Sequence, residues 1–182
     1  MLLSILAALV LAIAPHDTTT LDAAIETPTI THTPVVGLKS FAIADSAVLE
    51  KAKHRLTLYL DGMRVRTYQV ALGTQPVGDK VRAGDGRTPE GLFHIDAHNP
   101  NSKYYKSLHI SYPDAAHLAR AERLGVSPGG DIMIHGLPPR FASLGAQHRE
   151  WDWTEGCIAV TDQEMDEIWR ALPDGAPILI EP

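Results

Sequence analysis

Residues 131–160 read DIMIHGLPPRFASLGAQHREWDWTEGCIAV, and this stretch decides the fold because a short β-prone run lies near each of its ends. The first run, residues 132–134, ends at His135. The second, residues 158–160, begins directly after Cys157, and a glycine stands beside each of the two reactive side chains. We therefore expect two short strands whose ends carry an imidazole and a thiol that can meet in space.

A thiol and an imidazole that meet in a fold form a nucleophile, because the imidazole takes the thiol proton and its cation then stabilises the thiolate. Catalytic Cys and His residues are usually neighbours in the fold rather than in the chain, so their separation does not weigh against this. A non-catalytic interpretation fits the same residues. Cys157 can be a small buried hydrophobic residue, and His135-Gly136 can be a pair that simply ends a strand. The stretch alone leaves both interpretations open.

The composition describes an acidic globular chain. Its 182 residues suit one domain with short appendages, and an apolar share of 45% is enough for a packed core. A formal net charge of −6 and a pI near 5.8 argue against a nucleic-acid partner, which would favour a basic face. A peptide or glycan substrate is compatible with that charge.

The first 14 residues, MLLSILAALVLAIA, are continuously apolar and shorter than the ~20 residues that span a bilayer. They predict a signal peptide with a cleavage pattern at Ala12-Ile13-Ala14, or an N-terminal hydrophobic anchor that tethers the protein to a membrane. Residues 15–38 are rich in Thr and Pro and predict an extended linker. The folded domain is expected at residues 39–182.

Export changes the meaning of the single cysteine. One cysteine cannot form a disulfide within the chain, and a free thiol is unusual in an oxidising compartment. Such a thiol would be lost, paired between chains or retained for its reactivity. Export therefore favours the catalytic interpretation of Cys157.

Short alternating segments separated by turn residues predict a mainly β domain, with a curved sheet or β-sandwich and two short helices. The clearest signal is Asp61-Gly62, which predicts a hairpin turn between residues 54–60 and 64–72. Further strands are expected at residues 92–98, 108–112, 132–134, 158–160 and 177–180, and capped helices at residues 114–124 and 161–172.

The remaining segments are predicted as turns and loops. Residues 46–53 fit a short helix or a loop equally well, and residues 99–102, NPNS, predict a turn. Two long loops, residues 73–91 and 137–150, interrupt the pattern, the second with a helical turn around residues 141–144. Long loops inside a compact domain are usually functional.

A metal site is weakly indicated. His94 and His98 fall on one face of a predicted strand, but no third ligand stands at a suitable spacing. We therefore predict no metal and no cofactor. A zinc hydrolase is kept as an alternative, and its ligands would be Cys157, His135 and one of His94, His98 or His148.

Several motifs resemble one known family. They are Tyr68-Gln69-Val70-Ala71-Leu72-Gly73, Gly84-Asp85-Gly86-Arg87-Thr88-Pro89-Glu90-Gly91, Ile134-His135-Gly136 and, most specific, Thr154-Glu155-Gly156-Cys157-Ile158. Residues 56–180 thereby resemble the L,D-transpeptidase catalytic domain (YkuD-like). Asp152-Trp153-Thr154 and Ala159-Val160-Thr161 further resemble its YafK-like murein branch.

The resemblance implies a periplasmic or cell-surface enzyme that acts on peptidoglycan stem peptides by cysteine acyl transfer. Cys157 would be the nucleophile and His135 its base, with Gly136 helping to orient the ring and the N–H groups of Gly156 and Cys157 binding the oxyanion. An amine of another stem, or of a wall-anchored lipoprotein, would resolve the Cys157 thioester into a cross-link or a tether. Water in its place would give an L,D-carboxypeptidase or endopeptidase.

Two positions depart from the commonest family pattern. Glu155 stands where a histidine is frequent, and Ala159 where an arginine or asparagine is frequent. Other side chains are therefore candidates for substrate binding, namely Thr154, Trp153, Tyr112, Arg140 and Arg149. Aromatic packing under the cysteine loop also explains Trp153, and solvated loop charges also explain the two arginines.

A non-catalytic wall-binding module is the remaining alternative. It would use the long loops and the tryptophans, with Cys157 buried and inert. The reactivity of the thiol distinguishes the two classes of protein.

Overall fold

The computed structural model describes residues 43–182, and the predicted signal peptide or anchor (1–14) and linker (15–38) lie outside the described residues. The strands are β1 (Ser46–Glu50), β2 (Arg55–Leu60), β3 (Met63–Gln69), β4 (Gly91–Ser102), β5 (Tyr105–Ile110), β6 (Met133–His135), β7 (Ile158–Ala159) and β8 (Pro177–Glu181). The helices are α1 (Ala115–Leu124), α2 (Asp162–Ala171) and two 3-10 helices at Lys51–Lys53 and Pro139–Glu150. Within residues 43–182, no helix combines the length and the apolar character that crossing a membrane requires.

The eight strands form one curved sheet in the order β3-β2-β1-β8-β4-β5-β6-β7. β1 pairs in parallel with β8, and β6 with β7, whereas the other neighbours are antiparallel. Beyond β3, Ala71 forms a bridge with Ala159 of β7, and Gly73 forms one with Thr154. Because these bridges join the two ends of the strand order, the sheet closes around its core. The predicted mainly β fold with a curved sheet and two short α-helices is confirmed.

The core is built from the sheet and from one face of α2. Side chains that are less than 2% exposed come from both, among them Leu56, Leu58, Phe93, Ile95, Ile134, Ile158, Met165 and Ile168. Fully burying one such side chain stabilises a fold by about 1.5–3 kcal/mol relative to leaving it in water. This packing, rather than the short strands themselves, holds β6 and β7 in place.

The hairpin between β2 and β3 turns at Asp61-Gly62, where φ is +51° and +73°. Positive φ at both central residues is the geometry of a type I′ turn, whose twist matches that of the paired strands. The hairpin that the sequence predicts at this position is confirmed.

Both α-helices carry the caps that the sequence predicts. The Asp114 side chain accepts a hydrogen bond from the His117 N–H at the start of α1, and Gly125 ends that helix with φ of +66°. At α2, Thr161 and Glu164 form a reciprocal capping box. Since α2 follows β7 directly, the capping box fixes where the chain leaves the sheet.

Two local predictions need correction. Residues 46–50, left open as helix or loop, form β1, because the strand pairs with β2 on one side and β8 on the other and buries alternate side chains. Residues 99–102, predicted as a turn, continue β4, because Asn99 pairs with Ser107 and Ser102 with Tyr105 of β5. Cross-strand pairing overrides the local turn preference here. The hairpin turn therefore falls at residues 103–104.

Candidate active site

The side chains of Cys157 and His135 are positioned by two adjacent parallel strands, β7 and β6. The register pairs His135 with Ala159, so that Cys157, which immediately precedes β7, lies level with Met133. Because side chains alternate across a sheet, the thiol and the imidazole lie on the same face, two residues apart along the strand direction. The fold thus places the two residues that the sequence singles out on neighbouring segments of the sheet.

The thiol is half-buried, and its S–H donates to the Asp131 carbonyl oxygen with an Sγ–O distance of 3.4 Å. Burial raises the pKa of the Cys157 thiol to about 11, although the Met133 N–H and the positive charge of Lys80 act in the opposite direction. The resting thiol is therefore protonated at neutral pH.

The imidazole of His135 is 1% exposed, and its Nδ1–H donates to the Gly136 carbonyl oxygen at 2.7 Å. This bond places the proton on Nδ1 and leaves the lone pair on Nε2, the nitrogen that can accept a proton. Burial lowers the pKa of His135 to about 4, and the hydrogen bond to Gly136 only partly offsets that effect. At neutral pH the ring is uncharged.

Two aromatic rings cover the imidazole. The ring of Tyr104 lies 4.5 Å from that of His135 between centroids, and the ring of Trp153 lies 5.7 Å from it. Trp153 also packs edge-on against Phe141, and its indole N–H points to Nδ1 of His148 at 3.4 Å. The aromatic contacts account for the burial of His135 and restrict the directions from which a substrate or water reaches it.

The resting state of the pair differs from the thiolate–imidazolium pair that the sequence suggests. A thiol with a pKa of about 11 does not transfer its proton to an imidazole with a pKa of about 4 before a substrate arrives. The physical cause is burial, which disfavours both charged forms. Proton transfer from Cys157 to His135 is therefore unfavourable in the resting state.

The depressed pKa of His135 predicts acid-labile folding. The unfolded chain binds a proton near pH 6.5, whereas the folded ring does so only near pH 4, so stability is present above pH 6.5 and is lost as the pH falls to 4. The loss should be roughly 3 kcal/mol, at 1.36 kcal/mol for each unit of difference. Chemical denaturation from pH 7 to 4 measures it.

His135→Gln should reduce this pH dependence without abolishing it, because burial also lowers the pKa of His148 to about 4. His94→Gln, which changes an exposed imidazole, should leave it as in the wild type. Equal slopes in the wild type and His135→Gln would show that the ring is not buried in its neutral form.

The loop before the thiol is held by Thr154. Its Oγ1 accepts from the Gly156 N–H at 3.1 Å and donates to the Cys157 carbonyl oxygen at 2.8 Å. The Gly156 N–H, predicted as an oxyanion donor, is thus engaged within the loop. Within residues 43–182, the Cys157 N–H has no hydrogen-bond partner, which leaves it available to an oxyanion.

Gly156 has φ of +128°, and a Cβ placed there would lie 2.5 Å from the Arg87 carbonyl oxygen. Gly156→Ala should therefore destabilise the fold by at least about 1–3 kcal/mol through backbone strain, with the clash added, and should displace the thiol. Thermal unfolding and the rate of thiol alkylation measure the two effects. Gly130→Ala is the matched control, because that position has open space and no positive φ. Equal stability in the two variants would contradict the close approach.

The glycine-rich loop at residues 73–90 forms the surface on which the cysteine loop rests. The Asp85 carboxylate organises it by accepting from the Lys80 ammonium at 2.8 Å and from three backbone N–H groups, those of Val81, Arg82 and Arg87. Burial acts to raise the pKa of Asp85, but these donors outweigh it and lower the pKa to about 2. Asp85 therefore stays ionised and keeps the loop ordered at any pH in which the protein would work.

Two sets of hydrogen bonds close and anchor this loop. Within the loop, the Gly73 N–H donates to Thr88 Oγ1. From the segment between β1 and β2, the buried ammonium of Lys51 donates to the Thr88 and Gly78 carbonyl oxygens and to Glu90 Oε1. A fully bonded buried lysine of this kind fixes the loop rather than acting chemically.

The other candidate substrate-binding residues lie in different environments. Tyr112 is buried against Phe93, and its hydroxyl donates to the Pro128 carbonyl oxygen. Arg140 is exposed, with its guanidinium carbon 4.8 Å from the centre of the Phe141 ring. Arg149 forms an ion pair with Glu164 of α2. Of the two arginines, only Arg140 is exposed and without an anionic partner within residues 43–182.

Sequence reasoning missed Tyr104 and Asp152. Tyr104 stands in the β4–β5 turn, which the sequence places several residues earlier, so its approach to His135 could not be foreseen. The Asp152 carboxylate accepts from the Leu72 N–H at 2.7 Å and bonds the His54 ring at 2.9 Å. The position of Asp152 in the Asp-Trp-Thr motif is the feature of the sequence that could have identified it.

The residues predicted as ligands of a zinc hydrolase do not form a metal site. Among residues 43–182, no three His, Cys, Asp or Glu side chains form a group that could hold a metal ion. His98 bonds Asp174 and the Trp169 carbonyl oxygen instead.

A family model described as the L,D-transpeptidase catalytic domain (YkuD) matches residues 44–180. Since this match covers most of the chain, the protein belongs to the L,D-transpeptidase catalytic domain family. The family predicted from the motifs is confirmed.

The chain is also similar to a curated relative and shares its fold with solved structures. YafK of Escherichia coli (strain K12), a candidate L,D-transpeptidase, is 30% identical over 118 residues, which are 64% of this chain and 40% of YafK. Pgp2 of Campylobacter jejuni, a helical cell shape determining protein, shares the fold with a TM-score of 0.57 and 23% identity over 80% of this chain and 52% of Pgp2. An L,D-transpeptidase of Mycobacterium smegmatis has a TM-score of 0.50 and 16% identity, with 76% of this chain and 59% of that one covered. The chain thus spans less than two thirds of the length of each.

Proposed function

We propose that the protein is an exported cysteine acyl transferase that acts on L,D-amide bonds of peptidoglycan stem peptides, with Cys157 as nucleophile and His135 as base. The observation that supports the proposal most directly is the register of β6 and β7, which pairs His135 with the residue two positions after Cys157, the only cysteine of the chain. Membership of the family supports the class of substrate. The amide bond would join diaminopimelate to a terminal D-amino acid.

In the first step, the Cys157 sulfur attacks the substrate carbonyl carbon while its proton passes to Nε2 of His135. The tetrahedral oxyanion would accept from the Cys157 N–H, the donor that is free within residues 43–182. The C–N bond then breaks, and the amine leaves with the proton held by His135. The product is a thioester on Cys157.

In the second step, an entering amine attacks the thioester and gives its proton to His135. The new C–N bond forms, the C–S bond breaks, and the thiolate recovers a proton from the imidazolium. An amine of a second stem would give a cross-link, and one from a wall-anchored lipoprotein would give a tether. The aromatic cover over His135 supports transfer over hydrolysis, because it limits the access of water.

Incubation with a stem tetrapeptide and an isotopically labelled D-amino acid in H₂¹⁸O tests the proposal. We expect the labelled D-amino acid in the product, little ¹⁸O in the new carboxylate, and no product from Cys157→Ala. Dominant ¹⁸O incorporation would make the enzyme a hydrolase of the same bonds. The absence of both products, from protein shown to be folded, would contradict acyl transfer and favour a wall-binding module.

A further inference from the structure

A second buried lysine, Lys80, lies in the glycine-rich loop, and its surroundings differ from those of Lys51. The two side chains are buried to the same degree, with exposures of 3% and 2%. The Lys51 ammonium donates to three oxygen atoms, whereas within residues 43–182 the Lys80 ammonium has one acceptor, Oδ1 of Asp85 at 2.8 Å. An ammonium has three hydrogens, and burying one that is incompletely bonded is costly. Anchoring the loop therefore does not account for the burial of Lys80.

One side of the Lys80 side chain faces the segment that leads into β6. A Cβ placed on Gly129 would lie 3.5 Å from Cε of Lys80, so the end of the side chain packs beside that glycine. Two residues further on, the Asp131 carbonyl oxygen accepts the hydrogen bond of the Cys157 thiol. Lys80 thus lies against the same short segment that holds the sulfur.

The carboxylate of Asp85 links the other side of Lys80 to the cysteine loop. Oδ1 of Asp85 accepts from the Lys80 ammonium at 2.8 Å and from the Arg87 N–H at 3.1 Å. The Arg87 carbonyl oxygen in turn lies against Gly156, 2.5 Å from the position of a Cβ there, and Gly156 directly precedes Cys157. The ammonium is therefore held between the two chain segments that flank the thiol.

The charges of Lys80 and Asp131 act on the sulfur in opposite directions. Lys80 acts to lower the pKa of the Cys157 thiol, and Asp131 acts to raise it. The Asp131 side chain is 90% exposed, so solvent screens its charge. Lys80 is shielded from solvent, where a charge acts more strongly, and Asp85 offsets it only in part because that carboxylate is shared among four donors.

The remaining titratable neighbours of Cys157 do not supply a positive charge. The ring of His135 on β6 is uncharged at neutral pH, and Glu155 in the cysteine loop is exposed and acidic. The sulfur must nevertheless become negative as it loses its proton, and burial disfavours that form. A buried ammonium beside the sulfur reduces this cost.

We propose that Lys80 is a third functional residue of the acyl-transfer site, whose ammonium stabilises the negative charge that the Cys157 sulfur acquires as its proton leaves. The inference rests on the proposed function and deepens it. The proton of the thiol passes to His135, and Lys80 keeps its own protons throughout. Lys80 acts through its charge alone, and Asp85 holds that charge in place.

Alkylation of Cys157 by iodoacetamide, an uncharged reagent, tests the proposal without turnover. Below the thiol pKa of about 11, the rate follows the small fraction of thiolate. We expect Lys80→Met to slow alkylation about tenfold at each pH from about 7 to 9, which corresponds to one pKa unit. Lys80→Arg, which keeps the charge, should restore most of the rate. Lys51→Met, which removes an equally buried ammonium, should not slow it.

The direction of the change distinguishes a lost charge from a disordered loop. A loosened loop would expose the thiol and speed alkylation, whereas the loss of the charge slows it. Asp85 keeps its three backbone donors in Lys80→Met, and Lys80→Gln, which retains a side-chain N–H for Asp85, should slow alkylation similarly. Thermal unfolding shows which variants are folded. Alkylation at the wild-type rate or faster in a folded Lys80→Met or Lys80→Gln protein would overturn the proposal, as would equal slowing in Lys51→Met.

Turnover separates this proposal from the proposed function. Lys80→Met should lower kcat/KM for thioester formation about tenfold, and Lys80→Arg should recover most of it. If the wild type forms the thioester and Lys80→Met forms it at the same rate, the role assigned to Lys80 is wrong. If the wild type forms no thioester, the proposed function fails, and the alkylation comparison still decides whether Lys80 acts on the thiol.

Discussion

Replacing Cys157 with serine is expected to lower acyl transfer by roughly 10⁴-fold or more, the order of loss seen when the nucleophile of an acyl-transfer enzyme is removed. The hydroxyl is less acidic than the thiol and less nucleophilic, and a neutral imidazole with a pKa of about 4 is too weak a base to compensate. Product formation from a stem tetrapeptide measures the effect. Because the chain has one cysteine, loss of thiol labelling reports on this position alone.

The fold should survive this substitution, since the side chain is half-buried and its hydrogen bond to the Asp131 carbonyl oxygen can be made by a hydroxyl. An unchanged thermal unfolding curve is the control. Near-wild-type turnover in a folded Cys157→Ser protein would rule out the thioester.

His135→Gln is expected to lower turnover by about 10²-fold to 10⁴-fold, the usual contribution of a positioned acid–base group. Glutamine fills much of the buried space but cannot take the thiol proton. Alkylation of Cys157 should change little, because burial rather than His135 sets the pKa of the resting thiol. The combination of lost turnover and retained alkylation separates a base from a structural role.

The pH profile gives a second check on His135. A base must be neutral to accept a proton, so kcat/KM should hold down to about pH 4 instead of falling near pH 6.5, where an ordinary histidine titrates. Rates must be taken before acid unfolding sets in. An acid limb near pH 6.5 would contradict a buried, neutral His135 as the base, and it would not point to His148, whose pKa burial also lowers to about 4.

Much of the fold was accessible from local patterns. The capping box at Thr161 and the turn at Asp61-Gly62 depend on residues a few positions apart, and both are where the sequence predicts them. β1 was not accessible, because its pairing with β8 joins distant parts of the chain. The turn at residues 103–104 was misplaced for the same reason, since pairing between β4 and β5 extends both strands past the NPNS turn signal.

The candidate site was likewise predictable from the sequence only in its local features. Strand alternation and flanking glycines pointed to Cys157 and His135, and the structure brings them to one face. Their charge states could not be read from the sequence, because burial by Tyr104 and Trp153 is a tertiary effect.

Intact-mass spectrometry of the acid-quenched protein after brief mixing with a stem tetrapeptide tests the central claim most directly. The account predicts one added acyl group per chain, equal in mass to the tetrapeptide minus its terminal D-amino acid and bearing the carbonyl as a thioester. Peptide mapping should place it on Cys157, and neutral hydroxylamine should remove it. Product formation without this adduct, in a protein whose Cys157→Ala variant stays active, would contradict the account.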